Sequence, residues 1–267
     1  MEPQFYKGNR DAFMEKLEPG SLALFFSGSP VRKTADEDYG YFANRNFVYL
    51  TGMEQKDTIL MMEKDASGYR ETLFILPPNL IEERWTGSRM KPEEIEAVSM
   101  ISSFAYKETF EEELKKVLTS GRIQKVYLDI DRMEGQVVVS AADSMEAFLK
   151  QEYPSMPIEN SLPIMKMLRL IKKPCEIRAM EKAQEITKAG ILAMMTHSKP
   201  GMYEYQYKAE YDYALAQHGV LEAGFPSIIS AGKNNFCIHY YGYRGQAMDG
   251  DIVLNDVGVR WDNELTD

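Results

Sequence analysis

Two aspartates late in the sequence have the residue type and spacing that most directly indicate chemistry. Asp256 ends an apolar run that begins at Ile252, and Gly258 follows it closely. Burying a carboxylate at the end of such a strand costs free energy unless it is paired or binds a metal ion. If the chain turns back after Gly258 as an antiparallel strand, Asp256 and Asp267 can face one another, and two close carboxylates repel unless a cation or a proton lies between them. The residues are therefore candidate metal ligands, although a turn role for Asp256 and a solvated position for Asp267 would also explain them.

His239 is the next candidate, and it lies among apolar and aromatic residues in the segment 237–241. This composition predicts a strand, and a single histidine in such a setting is more often a core residue than a ligand. The other two histidines, His197 and His218, are predicted at helix ends, where capping or an interaction with the helix dipole explains them.

The elements that position these residues fall into two groups, and the first is typical of an α/β layered domain. Short apolar runs bounded by glycine, proline or charged residues predict strands at residues 22–26, 46–50, 58–62, 71–76 and 125–129. Pro92 begins a helical pattern with acidic residues in its first turn. Residues 141–150 predict another helix, with Met145, Phe148 and Leu149 facing inward.

Three prolines, Pro154, Pro157 and Pro163, make residues 151–165 a stiff stretch that disfavours helices and central strands. We therefore predict two domains, residues 1–160 and residues 161–267. The second domain should contain helices at residues 174–197 and 203–217, followed by strands at residues 227–230, 237–241, 252–256 and 259–261.

The composition argues against several classes of function. The 267 residues carry a formal net charge of −10, so a broad phosphate-binding face, and with it nucleic-acid binding, is not expected. No apolar run approaches the roughly 20 residues that cross a bilayer, and the first residues lack the apolar region of a secretory signal, so we expect no membrane partner. Two cysteines, Cys175 and Cys237, do not make a disulfide framework, which favours a cytoplasmic location.

The second half of the sequence resembles the pita-bread metallopeptidases, and specifically the aminopeptidase P family. The matching stretches are Ser227-Ile228-Ile229-Ser230-Ala231-Gly232, Asn235 with Ile238-His239-Tyr240, Asp249-Gly250-Asp251 and Asp256-Val257-Gly258. Asp267 follows Asp256 by eleven positions, which is also the family's spacing between its first two metal-binding aspartates. Pro200-Gly201-Met202 with Glu204 resembles the family as well.

The first half resembles the companion domain of the same family. Asn44-Arg45-Asn46-Phe47-Val48-Tyr49-Leu50-Thr51-Gly52 looks like its signature stretch, and Glu83-Arg84-Trp85-Thr86-Gly87 looks like its tryptophan-glycine motif. The resemblance implies an α/β amino-terminal domain of the aminopeptidase P type, followed by an incomplete α+β pita-bread domain.

The resemblance also implies an activity, that of an Xaa-Pro aminopeptidase, which hydrolyses the bond between an N-terminal residue and a following proline. It implies that Asp256 and Asp267 are ligands of two manganese ions, a choice that agrees with the preference of carboxylates for hard cations. His239 is implied to contact the substrate or the tetrahedral intermediate. Trp85 is implied to approach a neighbouring subunit's active site, so Trp85 is a substrate-binding candidate and a homodimer or homotetramer is expected.

The family site differs from this sequence in one respect. It uses five protein ligands, and a histidine and two glutamates follow the second aspartate, whereas this sequence ends at Asp267. We therefore expect a truncated chain that is inactive by itself. The alternatives are a prolidase-like dipeptidase, a creatinase-like amidinohydrolase and a non-catalytic interaction module on the same domains, and the paired aspartates argue against the creatinase-like enzyme.

Overall fold

The computed structural model describes residues 1–132, 134–135 and 139–267, and it divides the chain into two units, Met1–Ile171 and Lys172–Asp267. In the described residues, no helix is both long enough and apolar enough to cross a membrane. In chain order, the first unit contains α1 (Pro3–Glu15), β1 (Ser21–Phe26), β2 (Arg32–Thr34), β3 (Glu37–Asp38), α2 (Arg45–Thr51), β4 (Ile59–Asp65), β5 (Gly68–Ile75), α3 (Leu80–Thr86), α4 (Pro92–Ser99), β6 (Phe104–Tyr106), α5 (Phe110–Thr119), β7 (Lys125–Leu128), α6 (Ala141–Glu152), β8 (Ile158–Asn160) and α7 (Leu162–Leu170).

A mixed sheet in the order β6-β5-β4-β1-β7-β8 forms the centre of the first unit. β1 is antiparallel to β4 and parallel to β7, and it is buried on both faces. Leu22 and Leu24 share a core with apolar residues of α5 and α6, while the ring of Phe25 contacts Phe13 of α1 at 5.1 Å. Helices therefore cover both faces of the sheet, which confirms the predicted α/β class and explains why β1 is continuously apolar. Phe148 of α6, predicted to face inward, is exposed.

Residues 46–50 form part of helix α2, so the predicted strand at this position is wrong. The side chain of Asn44 caps the helix by accepting a hydrogen bond from the backbone N–H of Phe47 at 2.9 Å, and Gly52 ends it in the left-handed conformation with φ of 75°. Phe47 and Leu50 are fully buried. A short run that is apolar on every side does not distinguish a buried helix from a buried strand, which is why the pattern misled.

The two asparagines at the start of α2 also hold the end of β7. The side-chain amides of Asn44 and Asn46 donate to the carboxylate of Asp129 at 3.2 and 2.9 Å. Burial raises the pKa of this carboxyl group, and the amide donors only partly compensate. The asparagines of the Asn44–Gly52 stretch therefore have a structural role, as a helix cap and as partners of a buried acid.

Helix α7 belongs to the first unit, so the boundary lies after Ile171 and not after residue 160 as predicted. The Tyr49 hydroxyl donates to the carbonyl of Leu168 at 3.1 Å, and the Arg169 guanidinium donates to the Asn46 side chain at 2.8 Å. Met165 of α7 is fully buried. Pro163 stands in the first turn of α7, where a missing N–H costs nothing, so this proline begins a helix instead of marking a linker.

The second unit is built on two helices and several short antiparallel pairs of strands. Its elements are α8 (Pro174–His197), β9 (Met202–Tyr203), α9 (Glu204–Gln217), β10 (Ile228–Ala231), β11 (Gln246–Ala247), β12 (Val253–Asp256), β13 (Arg260–Trp261) and β14 (Glu264–Leu265), with a 3₁₀ helix at Gly232–Phe236. The two predicted helices are confirmed.

Helices α8 and α9 pack closely because a glycine lies where they meet. A Cβ atom on Gly190 of α8 would lie 2.4 Å from the ring of Tyr211 on α9. Tyr207, Tyr211 and Leu215 are buried in one core with Ile186 of α8. Tyr207 and Tyr211 therefore pack in the core, as predicted for the tyrosines of this helix.

Candidate functional site

Asp256 is the last residue of β12 and lies opposite Ile228 of β10 in an antiparallel pair. β10 is buried along its whole length, whereas Leu254 of β12 is exposed and Asp256 is half-buried. The strand that carries Asp256 is therefore not the fully buried strand that the apolar run predicted, and burial alone does not require a partner for this carboxylate.

The backbone next to Asp267 is fixed by hydrogen bonds of its neighbour, Thr266. The backbone N–H of Thr266 donates to the carbonyl of Val259 at 2.9 Å, and the Thr266 hydroxyl accepts a hydrogen bond from the Val259 N–H at 3.1 Å. The same hydroxyl lies 2.9 Å from the hydroxyl of Thr187 on α8. Thr266 is buried and Asp267 is exposed. The chain therefore does turn back after Gly258, as the sequence predicted, and it is fixed against α8.

Two local features make this return possible. β13 and β14 form a hairpin whose two-residue turn, Asp262 and Asn263, has φ values of 48° and 73°. Positive φ at both central residues is the geometry of the tight hairpin turn in which asparagine and aspartate are favoured. Gly258 lies close to the returning chain, and an added Cβ would lie 2.0 Å from the carbonyl oxygen of Thr266, so the close approach requires glycine.

Both aspartates line one cavity of about 550 Å³ in the second unit. Its walls are formed by α8, by the end of β12 and by the two final residues, namely Gln184, Thr187, Lys188, Ile191, Leu192, Asn255, Asp256, Val257, Thr266 and Asp267. Lining the same cavity does not establish that the two carboxylates face one another, so their juxtaposition stays a prediction. In the part of the chain that the structure describes, no three side chains of the histidine, cysteine, aspartate or glutamate type come together as a metal-binding group.

His239 lies elsewhere in the second unit, in an exposed turn after the 3₁₀ helix. The predicted strand at residues 237–241 is wrong, and so is the core position expected for a histidine on that strand. Its ring stacks near the ring of Tyr241, with centroids 6.3 Å apart. His239 is not one of the described residues that line the aspartate cavity.

Trp85 belongs to the first unit and lies on α3, a helix that buries none of its residues. Its side chain is 86% exposed. An exposed tryptophan on a helix with no buried face is available to contact another molecule.

Sequence reasoning noted Glu204 but assigned it no role, and the structure shows a fully buried carboxylate at the start of α9. Oε1 accepts hydrogen bonds from the Ala231 N–H and the Asn234 side chain at 2.8 and 2.9 Å, and Oε2 accepts one from the Gly245 N–H at 2.7 Å. Burial raises the pKa of Glu204, but these donors and the Tyr240 hydroxyl outweigh it, so the pKa lies below its usual value. The sequence feature that could have identified Glu204 is its position as an acid closely following Pro200-Gly201-Met202.

Two known families match successive parts of the chain. Residues 6–127 match the family Aminopeptidase P, N-terminal domain, and residues 178–267 match Metallopeptidase family M24. Together the two matches cover most of the chain, in the order that the resemblance predicted.

Curated relatives extend well beyond the matched length. The Xaa-Pro aminopeptidase of Escherichia coli (strain K12) is 28% identical over 268 residues, which are 97% of this chain and 59% of that protein. The Xaa-Pro aminopeptidase of Haemophilus influenzae is 25% identical and covers 96% of this chain and 57% of that protein. The chain therefore spans less than two thirds of the length of these relatives.

Solved structures agree on the fold. A Bacillus anthracis structure assigned to aminopeptidase P superposes with a TM-score of 0.94 at 30% identity, covering 98% of this chain and 62% of that one. Zn-substituted Escherichia coli aminopeptidase P in complex with product gives a TM-score of 0.88 at 26% identity, covering 100% and 61%. The chain therefore has the fold of aminopeptidase P, in which the amino-terminal domain is followed by part of an M24 pita-bread domain.

Proposed function

We propose that this chain supplies the amino-terminal domain and two metal-ligating aspartates of an Xaa-Pro aminopeptidase. The observation that carries the proposal is the cavity of about 550 Å³ whose wall includes both Asp256 and Asp267. Support comes from the metallopeptidase match at residues 178–267 and from relatives that are named Xaa-Pro aminopeptidases along nearly the whole chain. The substrate would be a peptide with proline at its second position.

The donors in the cavity fit a hard divalent cation, and we assign manganese. Asp256 and Asp267 contribute carboxylate oxygens, which favour magnesium, calcium or manganese over soft-ligand metals. When bound, a pair of such ions supplies a hydroxide nucleophile near neutral pH and polarises the scissile carbonyl. Two carboxylates do not by themselves complete a two-ion site, and the relatives are considerably longer than this chain.

His239 and Trp85 are assigned to substrate binding. A peptide bond before proline is a tertiary amide without an N–H, so an enzyme that cleaves it cannot recognise that group as a donor. His239, exposed in its turn, would donate a hydrogen bond to the substrate carbonyl or to the oxyanion that develops from it. Trp85 would reach the site from a neighbouring subunit of a homodimer or homotetramer, which agrees with its exposure.

The proposed location is the cytoplasm. Cys175 and Cys237 are both free, as a reducing compartment permits. Fractionation of cells that express the native gene, with detection by an antibody against the chain, tests the location. Sizing at several concentrations tests the oligomeric state.

The test of the activity uses the gene product that carries this chain, with manganese and a series of Xaa-Pro and Xaa-Ala peptides. Asp256→Asn and Asp267→Asn keep side-chain size but remove the anionic ligand, so each should lower kcat by roughly 10–100-fold or more and reduce bound manganese. Asp249→Asn is the matched control, because Asp249 is an exposed carboxylate of the same unit and lies outside the cavity lining.

Several outcomes would contradict the proposal. Wild-type kcat in Asp256→Asn or Asp267→Asn would reject that ligand, and equal cleavage of Xaa-Ala peptides would reject proline specificity. Cleavage of dipeptides but not of longer peptides would favour a prolidase-like enzyme. A polypeptide limited to residues 1–267 should show no turnover, because the family site that it resembles needs five ligands and two of them are assigned here.

A further inference from the structure

We infer that Glu204 is a positioning residue for His239, because its buried carboxylate holds both ends of the segment that carries this histidine. The segment, residues 232–245, is called the histidine loop below. The role of His239 rests on the proposed function, whereas the connection between Glu204 and the loop rests on hydrogen bonds within the second unit.

Apolar burial does not hold the part of the histidine loop around His239 in place, whereas Tyr243 near its end packs against the core. Phe236 and Ile238, the large apolar side chains beside His239, are 91% and 83% exposed. Cys237 and His239 itself are exposed as well. Side chains with so little contact contribute little to fixing a backbone, so the position of the loop depends on polar contacts at its ends.

Glu204 provides those contacts at three points along the loop. At its start, Oε1 accepts from the N–H of Ala231 and from the side chain of Asn234. At its end, Oε2 accepts from the N–H of Gly245. In the middle, burial and the nearby Glu204 carboxylate raise the pKa of the Tyr240 hydroxyl. One buried anion therefore connects residues that precede, flank and follow His239, and hydrogen bonds to a charged acceptor are stronger than those between neutral groups.

Tyr240 extends this network to the residue next to His239. Its hydroxyl also accepts a hydrogen bond from the Asn234 amide at 3.1 Å and one from the Arg244 N–H at 3.3 Å. Because Tyr240 follows His239 directly in the chain, fixing the Tyr240 side chain restricts the backbone from which the imidazole projects.

The end of the loop requires glycine for the same contact. A Cβ atom on residue 245 would lie 2.4 Å from the amide nitrogen of Asn234 and 2.5 Å from Oε1 of Glu204. Only a residue without a side chain brings its N–H this close to the carboxylate. Glu204, Asn234 and Gly245 therefore form one arrangement in which each residue type is needed by the others.

The chemistry of the carboxylate explains why an amide cannot replace it. Both oxygens of Glu204 face donors, with backbone N–H groups on each side. Glutamine has the same shape but presents a donor NH₂ group on one side, so either the Ala231 N–H or the Gly245 N–H loses its acceptor. A buried N–H without a partner destabilises the local structure that contains it.

The test compares amide hydrogen exchange in the 267-residue chain and in two variants of α9. Glu204→Gln should accelerate exchange in the histidine loop by about tenfold or more, the factor expected for loss of one hydrogen bond to a charged group. Exchange in α8 should stay unchanged. Glu210→Gln is the matched control on the same helix, because Glu210 contacts His197, at 2.6 Å, and not the loop.

Histidine NMR gives a second readout, since the chain has only His197, His218 and His239. Glu204→Gln should shift or broaden the His239 signal and leave the His218 signal unchanged, whereas Glu210→Gln should move the His197 signal. Tyr240→Phe removes the hydroxyl that accepts from the Asn234 side chain and the Arg244 N–H, and it should cause a smaller acceleration confined to the second half of the loop. If Glu204→Gln unfolds the unit, exchange in this milder variant tests whether the network positions the histidine loop.

Unchanged exchange and an unchanged His239 signal in both Glu204→Gln and Tyr240→Phe would overturn the inference. Activity of the gene product separates it from the proposed function. Loss of kcat in His239→Ala together with wild-type kcat in Glu204→Gln would refute the positioning role while leaving the proposed function intact. Wild-type kcat in His239→Ala would instead reject the proposed role of His239, and the exchange result would still decide whether Glu204 holds the loop.

Discussion

In the second unit, Tyr211 has a hydroxyl group with a raised pKa. It is fully buried where α9 packs on Gly190 of α8, and burial raises the pKa of its hydroxyl to about 12. In the unfolded chain a tyrosine ionises near pH 10. The folded state therefore retains a proton that the unfolded state has already lost over this range.

This difference predicts a pH dependence of stability. The contribution of Tyr211 should be fully present below about pH 10 and should be lost as the pH rises from about 10 to about 12. Tyr211→Phe removes the ionisable group and keeps the ring, so its free energy of unfolding should fall less steeply over this range. Denaturant unfolding of both proteins between pH 9 and pH 11.5 measures the difference. Parallel curves for the two proteins would contradict the predicted shift.

At the residue scale, sequence reasoning identified side chains whose chemistry is intrinsic and missed those whose role depends on a distant partner. Asp256 and Asp267 could be proposed as ligands because two carboxylates that face one another repel unless a cation or a proton lies between them. Thr266 was not, because its hydroxyl meets Thr187, which lies 79 residues earlier in the chain. His239 was misplaced because apolar neighbours in sequence do not guarantee burial.

Among the elements, α8 and α1 allow a matched test of what a helix glycine does. Gly8 of α1 has no atom within 4 Å of its missing Cβ, whereas the Cβ of Gly190 in α8 would lie 2.4 Å from the Tyr211 ring. Gly8→Ala should therefore stabilise the first unit by about 0.5–1 kcal/mol through helix propensity. Gly190→Ala should destabilise the second unit by about 1–3 kcal/mol, because the packing of α9 must change.

Calorimetry resolves the two effects if each unit gives its own transition. In Gly8→Ala, the melting temperature of the first unit should rise. In Gly190→Ala, the melting temperature of the second unit should fall. A stabilising Gly190→Ala would show that the contact between α8 and α9 is loose.

Elements with a clear periodicity were predictable, and those with a uniform composition were not. α8 and α9 have long helical patterns with terminal signals, and both occur close to the predicted residues. α2 is a short, wholly apolar run, so its type was decided by the Asn44 cap and by Gly52 and not by a pattern of burial. Residues 237–241 have the composition of a strand but no neighbouring strand to pair with in the described structure.

For the whole molecule, the position of the boundary predicts how fragments behave. The fragment Met1–Ile171 should melt cooperatively, and a fragment of residues 1–160 should melt lower by roughly 5 °C or more. The shorter fragment loses the contacts of Tyr49 and Asn46 with α7 and exposes the pocket of Met165. Met165→Ala in the longer fragment is the control and should reproduce part of the loss. Equal melting temperatures for the two fragments would contradict the boundary at Ile171.

The two-part organisation and the family followed from the sequence, because several motifs occurred in the family's order along the chain. The exact division did not, since prolines such as Pro163 mark a linker and the first turn of a helix equally well.

The hairpin of β13 and β14 has a consequence for how this region can change during evolution. Its reversal at Asp262 and Asn263 uses two residues, the number of the commonest tight hairpin loops. One residue more or fewer would turn successive side chains to the opposite face and separate Thr266 from Thr187. The number of residues from Asp256 to Asp267 is thus fixed by the return of the chain, so this stretch should exclude insertions and deletions even at positions where the residue type can vary.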